Sequence, residues 1–292
     1  MNRTSVRLLA AAGLLSLSTA AAEARQFFYS AEGGVPPGVV IETYPTINPN
    51  SSGALTASAY SELAYFTPTG FTGTKRDQLE FWAGGNLGYT DPKGAANSSG
   101  IGISDPELGF EYYYNVIQPT VPVGSPGFVS LWTGPEGWIN FPNGNTTSVG
   151  YGSGANQYSF GISENSYLQI GKFILDIDPV EVNYQFTDLN ASQSANDPSV
   201  YFKQRYGLSL TFGDVAIGYQ VTPTLAVGVA QQFNANSIGN STVAASHEGF
   251  IGPTMVYSGF QHMLLGAAVQ TDYYHENTAR NTYLAFWITR HF

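Results

Sequence analysis

"TLAVGVAQQF", Thr224–Phe233, alternates in polarity. Leu225, Val227, Val229 and Phe233 fall on one side of an extended chain; Ala226, Gly228, Ala230 and Gln232 fall on the other. A period of two marks a β-strand with one apolar and one more polar face. "MLLGAAVQTDYY", Met263–Tyr274, sets Met263, Leu265, Ala267 and Val269 against Gly266, Gln270 and Asp272. "LEFWAGGNLGY", Leu79–Tyr89, sets Leu79, Phe81, Leu87 and Tyr89 against Glu80, Trp82 and Asn86. "ELGFEYYYNV", Glu107–Val116, sets Leu108, Phe110, Tyr112, Tyr114 and Val116 against Glu107, Glu111 and Asn115.

Working outward, twelve such segments are predicted, at 38–47, 57–67, 76–90, 105–118, 127–139, 157–170, 172–187, 203–221, 224–235, 248–259, 262–274 and 281–292. The fifth is the weakest pattern, because Pro135 and two glycines interrupt it. No helix of useful length is written after the first 24 residues. Connections alternate in length. Tight turns are expected at Gly171-Lys172, at "TPT" (Thr222–Thr224) and near Phe260-Gln261. Long polar stretches such as "LNASQSANDPSV" (Leu189–Val200) and "NANSIGNSTVAASH" (Asn234–His247) lie between them.

Composition narrows the class. Charged residues make up 11% of the 292-residue chain, less than half the ~25% of ordinary soluble proteins. No apolar run of about 20 residues, as a membrane helix needs, exists beyond the start. Arg3 and Arg7, the apolar stretch Leu8–Ala22 and the small residues Ala22 and Ala24 read as a secretory signal peptide cut after Ala24. That leaves residues 25–292 as one domain. Cysteine is absent, which excludes a disulfide scaffold and thiolate metal sites. A net charge of −10 argues against nucleic acid as a partner.

An exported chain with sparse charge, alternating strands and loops sorted by length is expected to be all-β, an antiparallel up-and-down transmembrane barrel in the cell outer membrane, with lipid on its outside. Closure then pairs strand twelve with strand one, since no edge can face hydrocarbon. The last strand, "NTYLAFWITRHF" (Asn281–Phe292), ends on Phe292, which resembles the assembly signal read by the bacterial barrel-assembly machinery; the apolar residue usual two positions earlier is replaced by Arg290.

Apolar residues facing lipid force the opposite residues inward. Glu42, Glu62, Glu80, Glu107 and Glu111 are expected to line the lumen from the first four strands, Asp176 and Glu181 from the seventh, Lys203 and Arg205 from the eighth. These charges either form an internal salt-bridge lattice or bias permeation toward cations and neutral solutes. Inward Phe66, Trp82 and Tyr113 suit an apolar or aromatic solute, or pack the interior. Two strands change phase, at Asp178-Pro179 and at Gly213-Asp214, each needing an extra residue and so a β-bulge. Glu164 falls on an otherwise apolar face, so either it sits above the bilayer or its strand also slips.

"VPPGVV" (Val35–Val40) and "GISDPELGFEYYYNV" (Gly102–Val116), together with the ninth and closing strands, resemble a bacterial outer-membrane family named for the meta-pathway of phenol degradation, distantly similar to long-chain fatty-acid transporters. The resemblance implies one barrel that passes hydrophobic or aromatic compounds, and it carries no binding residues.

The four histidines, His247, His262, His275 and His291, form no His-x-x-x-His pair, and no Gly-x-Ser-x-Gly elbow exists. The expectation is no catalytic residue, no metal, no cofactor and no enzyme. The expected function is passive passage of small hydrophobic or aromatic compounds. Its rivals are a plugged structural or adhesin-like barrel acting through its loops, and a secreted soluble β-sandwich.

Overall fold

The structure is a computed structural model. It describes residues 37–49, 51, 53, 55–71, 77–91, 100–103, 106–141, 158–185, 207–238, 246–278 and 280–292. The predicted signal peptide, the segment 25–36, Lys203 and Arg205 lie outside the described residues.

The strands are β1 (Gly38–Pro49), β2 (Leu55–Pro68), β3 (Gln78–Asp91), β4 (Gly100–Ile103), β5 (Glu107–Ile117), β6 (Val129–Asn140), β7 (Ser159–Ile170), β8 (Phe173–Gln185), β9 (Gly207–Thr222), β10 (Leu225–Ile238), β11 (Ser246–Phe260), β12 (Met263–Glu276) and β13 (Thr282–His291). Each pairs antiparallel with its neighbour, and β1 pairs with both β2 and β13, so the sheet closes on itself. β4 and β5 cover successive halves of β3, at Leu87↔Ile103 to Thr90↔Gly100 and at Gln78↔Tyr113 to Gly84↔Glu107. They are one wall strand in two pieces, so the wall has twelve strands.

That strand begins at Gly100, not at 105 as the sequence suggests. In "GIGI" the isoleucines point out, with Ile101 and Ile103 exposed, and the inward side carries only glycine hydrogens. A run without inward side chains reads as a loop. The doubtful fifth strand is continuous: β6 pairs with β7 without a shift from Val129↔Ile170 to Asn140↔Ser159, through Pro135↔Glu164. The tight turns fall at Gly171-Lys172, Pro223-Thr224 and Gln261-His262. Gly171 supplies φ 58° at the first, and His262 takes φ 54° at the last. The β2–β3 and β5–β6 connections on this same rim are longer, so the sorting of turns is incomplete.

Both predicted slips occur, and at one level of the wall. Between Ser163↔Glu181 and Ser166↔Ile177, β8 runs one residue longer than β7. Between Gln231↔Val215 and Phe233↔Phe212, β9 runs one residue longer than β10. β8 and β9 stay in step through Asp178↔Asp214, so a paired bulge leaves their shared ladder intact.

The outside is apolar. Ile41, Leu63, Phe81, Phe110, Ile162, Ile217, Val229, Met255 and Phe286 are all exposed, far more contiguous apolar surface than a water-facing monomer carries. Outward rings gather at both rims: Phe173 against Tyr219 (5.4 Å) and Tyr257 against Phe260 (5.4 Å) beside the tight turns, Phe141 against Tyr158 (6.1 Å) and Phe160 against Tyr184 (5.5 Å) at the other end. Two aromatic girdles flanking an apolar band mark a bilayer-spanning barrel. The hydrophobic core lies inside, where Val40, Phe66, Tyr113, Trp132, Tyr167, Ile174, Val256, Leu264 and Trp287 form one buried cluster. The soluble-sandwich alternative is excluded by this closed sheet.

Candidate functional site: an acidic and aromatic cavity inside the barrel

Glu42, Glu62, Glu80 and Glu111 point inward as the alternation of their strands requires, and the register sets these and three further carboxylates against one another. Glu42 on β1 faces Glu62 on β2; Glu80 on β3 faces Glu111 on β5; Glu111 faces Glu136 on β6; Asp178 on β8 faces Asp214 on β9. These are four direct like-charge pairs. Such neighbours have Cβ atoms ~4.5–5.5 Å apart and repel.

A cavity of about 370 Å³ opens against this wall. Its lining is Tyr44, Tyr60, Glu62, Glu80, Trp82, Glu107, Glu111, Glu136, Trp138, Glu181 and Asn183. Glu107 accepts from the Tyr60 hydroxyl at 2.7 Å and from the Trp82 indole at 3.1 Å. Ser163 donates to Glu136 at 2.6 Å, and Asn165 to Glu111 at 3.4 Å. Tyr113 lies beneath and donates to Glu80 at 2.8 Å and Glu111 at 2.7 Å, its single proton shared between two acceptors. Tyr44 donates to Glu42 Oε2, while Glu42 Oε1, on a side chain 1% exposed, has no partner.

The cavity thus gathers Glu62, Glu80, Trp82, Glu107, Glu111 and Glu181 from the sequence-predicted set. Glu42 and Tyr113 sit beside it. Asp176 points inward on β8 opposite Ala216 and Tyr167, away from the lining. Phe66 is buried in the core and stacks on Tyr113 at 5.9 Å. Lys203 and Arg205 fall outside the described residues. Among the described residues the ion pairs are His247–Glu276 and His275–Asp272, neither in the cavity, and the bases expected to complete a luminal salt-bridge lattice are not among those residues.

Sequence reasoning missed Glu136, Asp178, Asp214, Tyr44, Tyr60, Trp138 and Asn183. Glu136 sits beside Pro135 in the strand with the broken pattern, and Asp178 and Asp214 sit at the phase switches, where alternation assigns no face. Glu164 takes neither expected course. Its strand does not slip, and it stands mid-strand on the outer face, accepting from Thr133 and, at 2.6 Å, from Ser166.

No family model and no curated protein matches the chain. Among solved structures it is similar to the COG4313 outer membrane channel of Pseudomonas putida F1, at a TM-score of 0.63 and 14% identity over 88% of this chain and 97% of that one. It is also similar to the transport unit of the autotransporter AIDA-I of Escherichia coli (TM-score 0.44, 8% identity, 87% and 90% covered), and to outer membrane phospholipase A of the same species (TM-score 0.40, 10% identity, 86% and 89% covered). The chain has the fold of a bacterial outer-membrane β-barrel, and its place is the cell outer membrane. The expectation that it is no enzyme is corrected here. Outer membrane phospholipase A is an enzyme, and at this similarity the fold neither excludes catalysis nor assigns it.

Proposed function

We propose that the barrel passes small hydrophobic or aromatic compounds across the outer membrane, down their gradient. The observation that carries this is a run of inward rings next to the cavity. Phe66 stacks on Tyr113 at 5.9 Å, Tyr113 meets Trp132 edge-on at 5.3 Å, and Trp132 stacks on Tyr167 at 6.0 Å. These rings back the cavity, and Tyr44, Tyr60, Trp82 and Trp138 line the space itself, where their faces offer an apolar solute dispersion contacts that replace its water. The family resemblance read from the sequence agrees with this role. Its partners are then outer-membrane lipid, the barrel-assembly machinery that reads Phe292, and the solute.

The four backing rings are almost fully buried, which favours a second reading: a plugged scaffold that acts through its loops. Uptake separates the two. A deletion strain given a panel of labelled aromatic and aliphatic compounds is expected to accumulate some of them more slowly, with recovery on complementation. Unchanged uptake across the panel, with no flux into proteoliposomes, selects the scaffold.

A further inference from the structure

We propose that a groove on the outer face of β9–β12, at the rim away from the tight turns, holds one acyl chain of a membrane lipid, with the lipid's head group at the His247–Glu276 pair. The inference stands apart from the passage reading and concerns the other side of the wall.

A bulge builds the groove. Gly249↔Tyr274 is followed by Phe250↔Asp272, so β12 carries one residue more than β11. Two successive tyrosines, Tyr273 and Tyr274, therefore both stand exposed on the same cavity, a space of about 690 Å³. Tyr273 lies over Gly249, where a Cβ would overlap its ring. Ala235 is the floor. It shares the outward side of β10 with Val227 and Val229, yet it is only 3% exposed, because Leu210 and His247 flank it in register. Phe233 stacks on Tyr274 at 5.8 Å and on His247 at 6.3 Å. The rings are also held at their polar ends. Gln231 Nε2 donates to the Tyr273 hydroxyl at 3.1 Å, and the Tyr274 hydroxyl donates to Glu276 at 3.1 Å. Glu276 holds His247 Nδ1 at 3.0 Å.

The polarity along the groove decides its occupant. His247 and Glu276 are register partners where β11 begins and β12 ends, at the rim. Phe233 and Tyr273 lie deeper, toward the middle of the wall. A wet end at the rim and a greasy end below it match the long axis of a lipid, and tyrosine, with an apolar ring and a polar tip, suits that level. The groove also runs directly into the apolar outer band, at the exposed Val229 and Ile251, so the surface already turned toward lipid continues into it. A chain flanked by rings on two sides gains dispersion contacts that a flat wall does not offer.

The test uses the full-length protein in phosphatidylethanolamine vesicles doped with a phosphatidylethanolamine that carries a diazirine on one acyl chain. After irradiation, labelled residues are mapped by peptide mass spectrometry. Label at Phe233, Tyr273 and Tyr274 is expected to saturate as the probe fraction rises, while label at Phe81 and Phe110, elsewhere on the outer face, rises in proportion to the probe. Ala235→Trp fills the floor and is expected to lower the groove label about tenfold; Val229→Trp, on the same strand below the groove, leaves it unchanged. Should Ala235→Trp fail to fold, Phe233→Ala removes a wall and is expected to turn the saturable label into a proportional one. Proportional labelling at both places in the parent protein overturns the site. Absence of label at the groove, with cross-links between protomers at Tyr273 or Tyr274, assigns the groove to a second copy of the chain and also overturns it.

Discussion

Glu80 and Glu111 stand directly opposite each other on β3 and β5, and one phenol, Tyr113, donates to both, at 2.8 and 2.7 Å. Glu136 then faces Glu111 from the next strand. Three carboxylates abreast repel, and one hydroxyl does not neutralise them. Glu111→Gln keeps an acceptor for Tyr113 and removes the middle charge. It is expected to raise the stability of the folded barrel by about 1 kcal/mol, read as a higher urea midpoint in vesicles. A lower midpoint would mean that Glu111 is paired in the folded state.

Trp82 lies over Gly109, its register partner on β5, so a Cβ there would overlap the indole. Trp138 over Gly161 and Trp287 over Gly266 repeat the arrangement. Covering a glycine with a cross-strand ring pins register. Gly109→Val is expected to displace Trp82 from Glu107 and cost about 2 kcal/mol, with a changed near-ultraviolet circular dichroism signal. Gly85→Ala, where a Cβ meets open space, is expected to stay within about 0.5 kcal/mol of the parent. Equal effects of the two would show that the Trp82 position does not depend on Gly109.

Glu164 is a carboxylate on the lipid side of the wall, shielded by the hydroxyls of Thr133 and Ser166. Shielding lowers the cost of such a group without removing it. Glu164→Leu is expected to stabilise the barrel in vesicles by about 1–2 kcal/mol. Unchanged or reduced stability would place this carboxylate in water.

Closure ends with the Phe292 amide donating to the Val39 carbonyl at 3.0 Å, with Arg290 over the Phe292 ring at 5.8 Å. Deleting Phe292 is expected to lower the fraction of protein with heat-modifiable gel mobility in outer-membrane preparations, while leaving refolding from urea into detergent nearly intact. An equal loss in both would assign Phe292 to stability and not to assembly.

Alternation made most of the fold legible. Once apolar side chains are assigned to lipid, period two fixes which carboxylates point inward, and closure follows from the need to satisfy both edges. What escaped did so for local reasons. "GIGI" carries no inward side chains, so its strand looks like a loop. Pro135 hid the inward face of β6 and with it Glu136. Asp178 and Asp214 sit on the bulges themselves, where the alternation loses its phase. Tyr44 and Tyr60, paired in register with rings 6.1 Å apart, belong to the cavity only because two strands meet there, and one strand read alone does not show its neighbour's register.

The central claim is the direction of the two faces, greasy side chains toward lipid and carboxylates toward the interior. Site-directed spin labels test it most directly, placed in vesicles at Val227 and Val229, both exposed on the outer face of β10, and at Ala226 and Ala230, both buried on its inner face. The account predicts high collision rates with dissolved oxygen and low rates with a water-soluble nickel complex at Val227 and Val229, and no such lipid signature at Ala226 or Ala230. Water-exposed labels at Val227 and Val229, with lipid-exposed labels at the two alanines, would contradict it.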